Sequence, residues 1–230
     1  VLNDTAVVIP ARNEAARVAD TVTAARAIEG VAFVVVVDDG SADGTARVAA
    51  EAGATVVRHG RNQGKAAAMA TGAAAVPDRG LHLLFLDADL RDTARHGAAL
   101  LGPLRDGTAD AVIATLPRAA NAGGHGFVVR LARDGIERAT GWAPTQPLSG
   151  QRALTRAAFE AALPLARGFG VETGLTIDLL RNGFRVVEVE VPMAHRVTGT
   201  GWRDQLHRAR QYRDVRRALR ARRARRARRP

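Results

Sequence analysis

The sequence predicts an α/β protein built on a mostly parallel sheet with helices on both faces. Three observations carry this. Short apolar runs rich in valine recur without polar alternation, the reading of strands covered on both sides. Helical segments of about 10–15 residues separate them, as in βαβ units. Polar, turn-forming residues gather where the runs end, and open α/β sheets bind ligands at that carboxyl edge.

Taken in order, residues 5–9 form the first β-rich run, with Pro10 expected to stop it. Residues 15–28 have helical composition, and Gly30 ends them. Residues 33–37, Phe-Val-Val-Val-Val, are the second strand, closed by Asp38-Asp39-Gly40-Ser41. Asp43 suits the cap of a helix over 45–52 that stops before Gly53. A third strand at 55–57 and a third helix at 66–75 lead to the fourth strand, 81–86, which ends in Asp87-Ala88-Asp89. Beyond it, strands are expected at 110–114, 152–155 and 184–191, with helices at 127–139, 157–162 and 171–180. No internal repeat or linker divides the chain. At 230 residues it is long enough for one large core.

The last 30 residues predict a basic helix. Trp202, Leu206, Ala209, Val215 and Leu219 recur at near-helical spacing, so its first half is expected to dock. Beyond Arg220 the stripe contains only alanine, and fraying is expected. This tail holds 13 arginines and 2 aspartates, which is the whole net charge of +11; the first 200 residues are balanced. The tail reads as a solvated end, as a surface for anionic lipid headgroups, or as a nonspecific attractor of nucleic acid. A neutral body with a single tyrosine offers no stacking surface, which argues against a specific nucleic-acid module.

Cysteine is absent, so disulfides, thiolate metal sites and a cysteine nucleophile are excluded. Residues 1–30 lack the pattern of a signal peptide, and no apolar run approaches the roughly 20 residues of a membrane span. The expectation is a cytoplasmic protein, at most peripheral at the inner face of a membrane.

Parallel strands would bring Pro10-Ala11-Arg12-Asn13-Glu14, Asp38-Asp39-Gly40-Ser41, Asn62-Gln63-Gly64-Lys65 and Asp87-Ala88-Asp89 to one rim. Two carboxylates one residue apart suit Mg²⁺ or Mn²⁺ on a diphosphate. Lys65 supplies positive charge, and an acid from the second strand end suits a base or ribose. Neither a Walker loop nor a Gly-x-Gly-x-x-Gly turn occurs, which removes weight from kinase and dehydrogenase readings.

In type, order and spacing these four motifs resemble those of family-2 type glycosyltransferases with the GT-A fold. Gln146-Pro147-Leu148-Ser149-Gly150, the segment from Gly168 to Asp178, and Ala194-His195-Arg196 are similar to glucosyl-3-phosphoglycerate synthases and related retaining enzymes. The resemblance implies a GT-A, Rossmann-like domain over 1–200, with a nucleotide-binding half (1–90) and an acceptor and metal half (91–200), followed by the tail at 201–230. It implies a metal-dependent transfer from a nucleotide sugar, UDP-glucose-like, to a hydroxyl or phosphate acceptor. Pro10, Ala11, Arg12, Glu14, Asp39 and Lys65 would line the nucleotide pocket. Asp89 and His195 would ligate the metal, and Asp87, with Ala88, would lie near the ribose or sugar. Glu172 would stand beside the transferred sugar, as a general base, as a hydrogen-bonding partner, or merely as a helix-start carboxylate. Lys65 or Arg196 would assist the leaving group.

The resemblance has departures. Met193 and Val197 replace an arginine and an asparagine that flank the metal histidine in the synthases, and Gly123-Gly124-His125 replaces a Gly-Gly-Arg acceptor loop. The acceptor is therefore expected not to be 3-phosphoglycerate. Retention and inversion both stay open, as does a homodimer. Two rivals stand beside this reading: a polyprenyl-phosphate glycosyltransferase at a membrane surface, and a sugar-phosphate nucleotidyltransferase. The latter expects a glycine-rich first turn, where Arg12-Asn13-Glu14 stands.

Overall fold

The computed structural model describes residues 3–117, 126–193 and 202–226, with side chains in the last segment described over 209–223. The strands are β1 (Thr5–Ala11), β2 (Val31–Asp38), β3 (Thr55–Arg58), β4 (His82–Phe85), β5 (Ala111–Thr115), β6 (Arg152–Leu154) and β7 (Val186–Glu190). They form one sheet in the order β3-β2-β1-β4-β6-β5-β7. β6 runs antiparallel to β4 and β5, and every other pairing is parallel. The mostly parallel α/β sheet expected from the sequence is present.

The helices are α1 (Val18–Arg26), α2 (Thr45–Glu51), α3 (Lys65–Ala75), α4 (Gly102–Arg105), α5 (Gly126–Thr140), α6 (Arg156–Ala161), α7 (Val171–Arg181) and α8 (Trp202–Arg226). Alternation along each strand divides its side chains between two cores. Val7, Ile9, Val34, Val36 and Leu84 pack towards α1 and a 3₁₀ segment, Arg91–Leu100. Val8, Val35, Val37, Leu83 and Phe85 pack towards α3, α6 and α7. With both faces covered, the central strands β1 and β2 need no polar side, which is why they read as continuous apolar runs. Burying such side chains contributes about 25 cal/mol per Å² of apolar area.

Several expectations are corrected. Pro10 does not stop β1, which continues to Ala11. The Val8 carbonyl accepts from Leu86 N, so even-numbered residues turn their backbone groups towards β4. β4 ends opposite Val8, and the donor that Pro10 lacks faces a side where no ladder bond is needed. The helix expected from residue 15 begins only at Val18, because residues 12–15 are held in a loop against 41–45. Thr155 is not a strand residue; it caps α6, its hydroxyl accepting from Ala158 N at 3.2 Å.

The stripe expected to dock α8 is buried where it is described, at Val215 and Leu219, while the fraying expected beyond Arg220 is corrected. The described contacts run over Tyr212, Val215, Ala218, Leu219 and Arg222, against α5 and α7. Beyond Arg220 the helix is held by buried Arg222, which reaches the Asp178 carboxylate and donates to Gly174 O at 3.1 Å. Trp202 and Leu206 have no described side chains.

Candidate active site

Parallel β1, β2 and β4 deliver their C-terminal ends to one rim, and antiparallel β6 starts there, with Arg152 opposite Phe85. The 146–151 loop therefore joins residues 10–14, 38–45 and 87–89.

The first two loops are stitched together. Asn13 sits at φ 56, and its backbone N–H donates to Ser41 Oγ at 2.9 Å. Asn13 Oδ1 accepts from Ala42 N at 2.9 Å, and Thr45 Oγ1 accepts from Glu14 N at 2.9 Å. Asparagine tolerates this left-handed backbone better than most residues. Ala11 is buried, Pro10 half-buried and Arg12 exposed. The Glu14 carboxylate is engaged by Arg17.

Asp39 is buried and satisfied from within the chain. Its carboxylate accepts from Gln63 N at 2.7 Å and Gly64 N at 2.8 Å, and contacts His59 Nδ1 at 2.8 Å. Burial alone would raise its pKa; the two amides and the imidazole outweigh burial and hold it below the ordinary carboxylate value. Asp39 thereby fixes the turn from which α3 starts, and so the origin of the Lys65 side chain.

Lys65 Nζ lies 2.8 Å from Asp87 Oδ1 and 3.1 Å from Glu172 Oε1. Burial would lower the lysine pKa, but the two carboxylates raise it well above its usual value. At neutral pH Lys65 is a cation and not a base. Asp87 Oδ2 also accepts from Gln151 Nε2 at 2.9 Å. Gly150 makes this clustering possible, since a Cβ there would stand 2.3 Å from Lys65 Nζ and 3.1 Å from Asp87 Oδ2. Glu172 enters from the first turn of α7, where the helix dipole favours a carboxylate.

Ala88 is buried and Asp89 half-buried. Thr21 on α1 clamps their turn, donating to Ala88 O at 2.9 Å and accepting from Arg91 N at 2.8 Å. Among the described residues, no side chain pairs with Asp89. The two acids of Asp87-Ala88-Asp89 are thus unequal: Asp87 is spent on Lys65 and Gln151, while Asp89 keeps its oxygens for another partner. Among the described residues, no three His, Cys, Asp or Glu side chains converge to hold a metal. His195, Arg196, Val197 and the 123–125 loop lie outside the described residues.

Sequence reasoning missed three residues here. His59 links Asp39 to Thr71, 3.0 Å from its Nε2. Thr21 holds the Asp89 turn. Arg152 is almost wholly buried and donates to Ser149 O and Thr176 Oγ1, both at 2.8 Å, so it braces the 146–151 loop. Burial pushes its guanidinium pKa down to about 10, against the opposing pull of Glu172 and Glu188. None stands in a recognisable motif; a lone histidine, threonine or arginine carries no signal until its partners are known.

Residues 6–161, more than half of the chain, match the model of the family described as glycosyl transferase family 2. The chain is 32% identical over 201 residues to the glycosyltransferase AglJ of Haloferax volcanii, covering 84% of this chain and 64% of that relative. It thus spans somewhat less than two thirds of that relative's length. Solved structures of glucosyl-3-phosphoglycerate synthase from Mycobacterium tuberculosis are also similar. One complex, with Mn²⁺, UDP and phosphoglyceric acid, superposes with a TM-score of 0.79 at 29% identity, covering 95% of this chain and 78% of that one. Another, with Mn²⁺, UDP-glucose and phosphoglyceric acid, has a TM-score of 0.77 at 30% identity, covering 95% and 79%.

Proposed function

This chain belongs to glycosyl transferase family 2, and from that premise we propose that it moves a sugar from a nucleotide-diphosphate donor, UDP-glucose-like, to a hydroxyl or phosphate acceptor. The observation that carries the reading is Lys65 held between Asp87 and Glu172 where three parallel strand ends meet. The similar synthases hold UDP or UDP-glucose with a divalent cation, which supports the same donor class.

In this reading residues 1–90 form the nucleotide half. Pro10, Ala11, Arg12, Glu14 and Asp39 line the nucleotide pocket, Asp39 from behind through the 59–64 turn. Asp87, with Ala88, faces the ribose or sugar. Residues 91–200 form the acceptor and metal half. Asp89 and His195 hold Mg²⁺ or Mn²⁺, for which a half-buried carboxylate on a clamped turn is a fitting oxygen donor. When bound, the cation neutralises charge on the departing diphosphate. Lys65 assists the leaving group as a cation fixed in place by Asp87 and Glu172, and such preorganised electrostatics carry most of the rate enhancement in sites of this kind. Glu172, buried and ion-paired with Lys65, orients the transferred sugar, and the product keeps the donor's anomeric configuration.

The acceptor is not 3-phosphoglycerate in this reading. Met193 is buried in the apolar core on the α1 side of the sheet and offers no charge to a phosphorylated acid. Replacing Asp89 by alanine should abolish donor turnover while leaving the melting temperature within about 2 °C, as expected at a position whose side chain has no partner among the described residues. Near-normal turnover of UDP-glucose by that variant would end the assignment. Proton NMR of the product's anomeric centre decides retention.

A second acceptor reading, a lipid-linked phosphate at a membrane surface, is favoured by the exposed arginines of α8. Arg213, Arg216, Arg217 and Arg220 face solvent, and each is worth about 1 kcal/mol near an anionic surface. Among the described residues no helix is long and apolar enough to cross a membrane. Exchanging these four for glutamine should release the chain from anionic liposomes in flotation. Deleting the helix is a poorer test, because it would uncover Ile136 and Ile177.

A further inference from the structure

A second cluster of charge lies away from the strand rim, where α5, α7 and α8 meet. A cavity of about 260 Å³ there is lined by Arg138, Arg181, Arg222 and Arg223, over Gly135, Ala139 and Leu219. Arg181 occupies the far end of α7 from Glu172, about 14 Å along the helix at 1.5 Å per residue. The cavity is therefore separate from the candidate active site.

Two of the four arginines are held in place. Arg181 Nη1 donates to Arg222 O at 2.7 Å, and its Nε to Ala139 O at 3.3 Å. Arg222 is buried, anchored by Gly174 O and by the Asp178 carboxylate. Arg222 Nη1 also donates to Ala218 O at 3.4 Å, so its donors are turned to the protein. Arg138 and Arg223 are exposed at the mouth, and neither pairs with a carboxylate among the described residues. Arg138 and Arg223 bring two guanidinium groups to the mouth of one small cavity, and their mutual repulsion falls when an anion lies between them. Their planar forks match the oxygens of a phosphate group, and a fixed floor lowers the entropy lost on binding.

We propose that this cavity is a binding site for a phosphate-bearing anion, clasped by Arg138 and Arg223 above Arg181 and Arg222. Such an anion joins three helices and fastens α8 to the body. A free phosphorylated compound and a phospholipid headgroup present the same chemistry.

Isothermal titration of the full chain with inorganic phosphate at low salt should give saturable binding. The double variant Arg138→Gln/Arg223→Gln should weaken it about tenfold or more, the loss expected for two charge-assisted contacts. Neither residue is buried, so the variant should keep its melting temperature without phosphate. Phosphate held at the strand rim would be untouched by this variant, so the outcome is independent of the proposed transferase activity. Flotation with phosphatidylglycerol vesicles distinguishes the sources: loss of flotation in the same variant assigns a lipid headgroup, and unchanged flotation assigns a free phosphorylated compound. Equal phosphate affinity in the double variant overturns the proposal, as does an equal loss in Arg213→Gln/Arg217→Gln, which lies outside the cavity.

Discussion

Asp39 illustrates how one side chain serves the site through others. It fixes His59 and the amides of Gln63 and Gly64, and so the turn that launches Lys65. Its pKa lies below the ordinary value of 3.8, so it stabilises the fold at higher pH. That stabilisation is present above about pH 4 and is lost as pH falls through the depressed native value. In Asp39→Asn, an amide NH₂ must face a backbone donor, at a cost of about 1–3 kcal/mol. The urea midpoint at pH 7 should fall accordingly, and the difference from wild type should shrink at pH 3. An unchanged midpoint at pH 7 would show that the clamp carries no energy. The sequence made Asp39 conspicuous within Asp-Asp-Gly-Ser, but His59 was invisible, because its role depends on a contact twenty residues away.

At the level of elements, α3 must lie close to the sheet to place Lys65 beside Asp87. Gly72 permits this: a Cβ there would meet Val8 Cγ1 at 2.4 Å and Val37 Cγ2 at 3.1 Å. Both valines are buried in the sheet centre and stiff about χ1, so neither can turn away cheaply. Gly72→Ala gains about 1 kcal/mol in helix propensity but incurs about 1–3 kcal/mol of overpacking. The expected result is lower stability and a displaced Lys65, read as a reduced melting temperature with a larger loss of turnover than of stability. Element types were largely legible in the sequence, since valine runs and alanine-rich helices announce themselves. Their ends were not. Pro10 continues β1 because of where β4 stops, and α1 starts late because Asn13 and Glu14 bind the neighbouring loop.

For the whole molecule, the proposed nucleotide half, 1–90, and the proposed acceptor and metal half, 91–200, are successive stretches of the sequence, so ligand binding should tie them together. UDP with Mn²⁺ should raise the melting temperature more than either alone. At a hundredfold excess over the dissociation constant the gain is about 2.7 kcal/mol, or roughly 2–4 °C for a chain of this size. Absence of a joint effect would separate nucleotide binding from the cation. Glu172 was singled out only through a family resemblance. Its approach to Lys65 spans 107 positions and needs β6 to reverse direction, which no local pattern encodes.

The amino-acid order by itself determined the α/β class, the alternation of strand and helix, and the rim motifs of glycosyl transferase family 2. Those follow from hydrophobic period and turn chemistry, which are local. Tertiary structure decided which of two neighbouring aspartates is spent on a lysine and which stays available. It also decided that α8 docks by Arg222, and that four arginines from three helices share a cavity. Such outcomes rest on distances between residues far apart in the chain, and the packing of the sheet and its helices sets those distances.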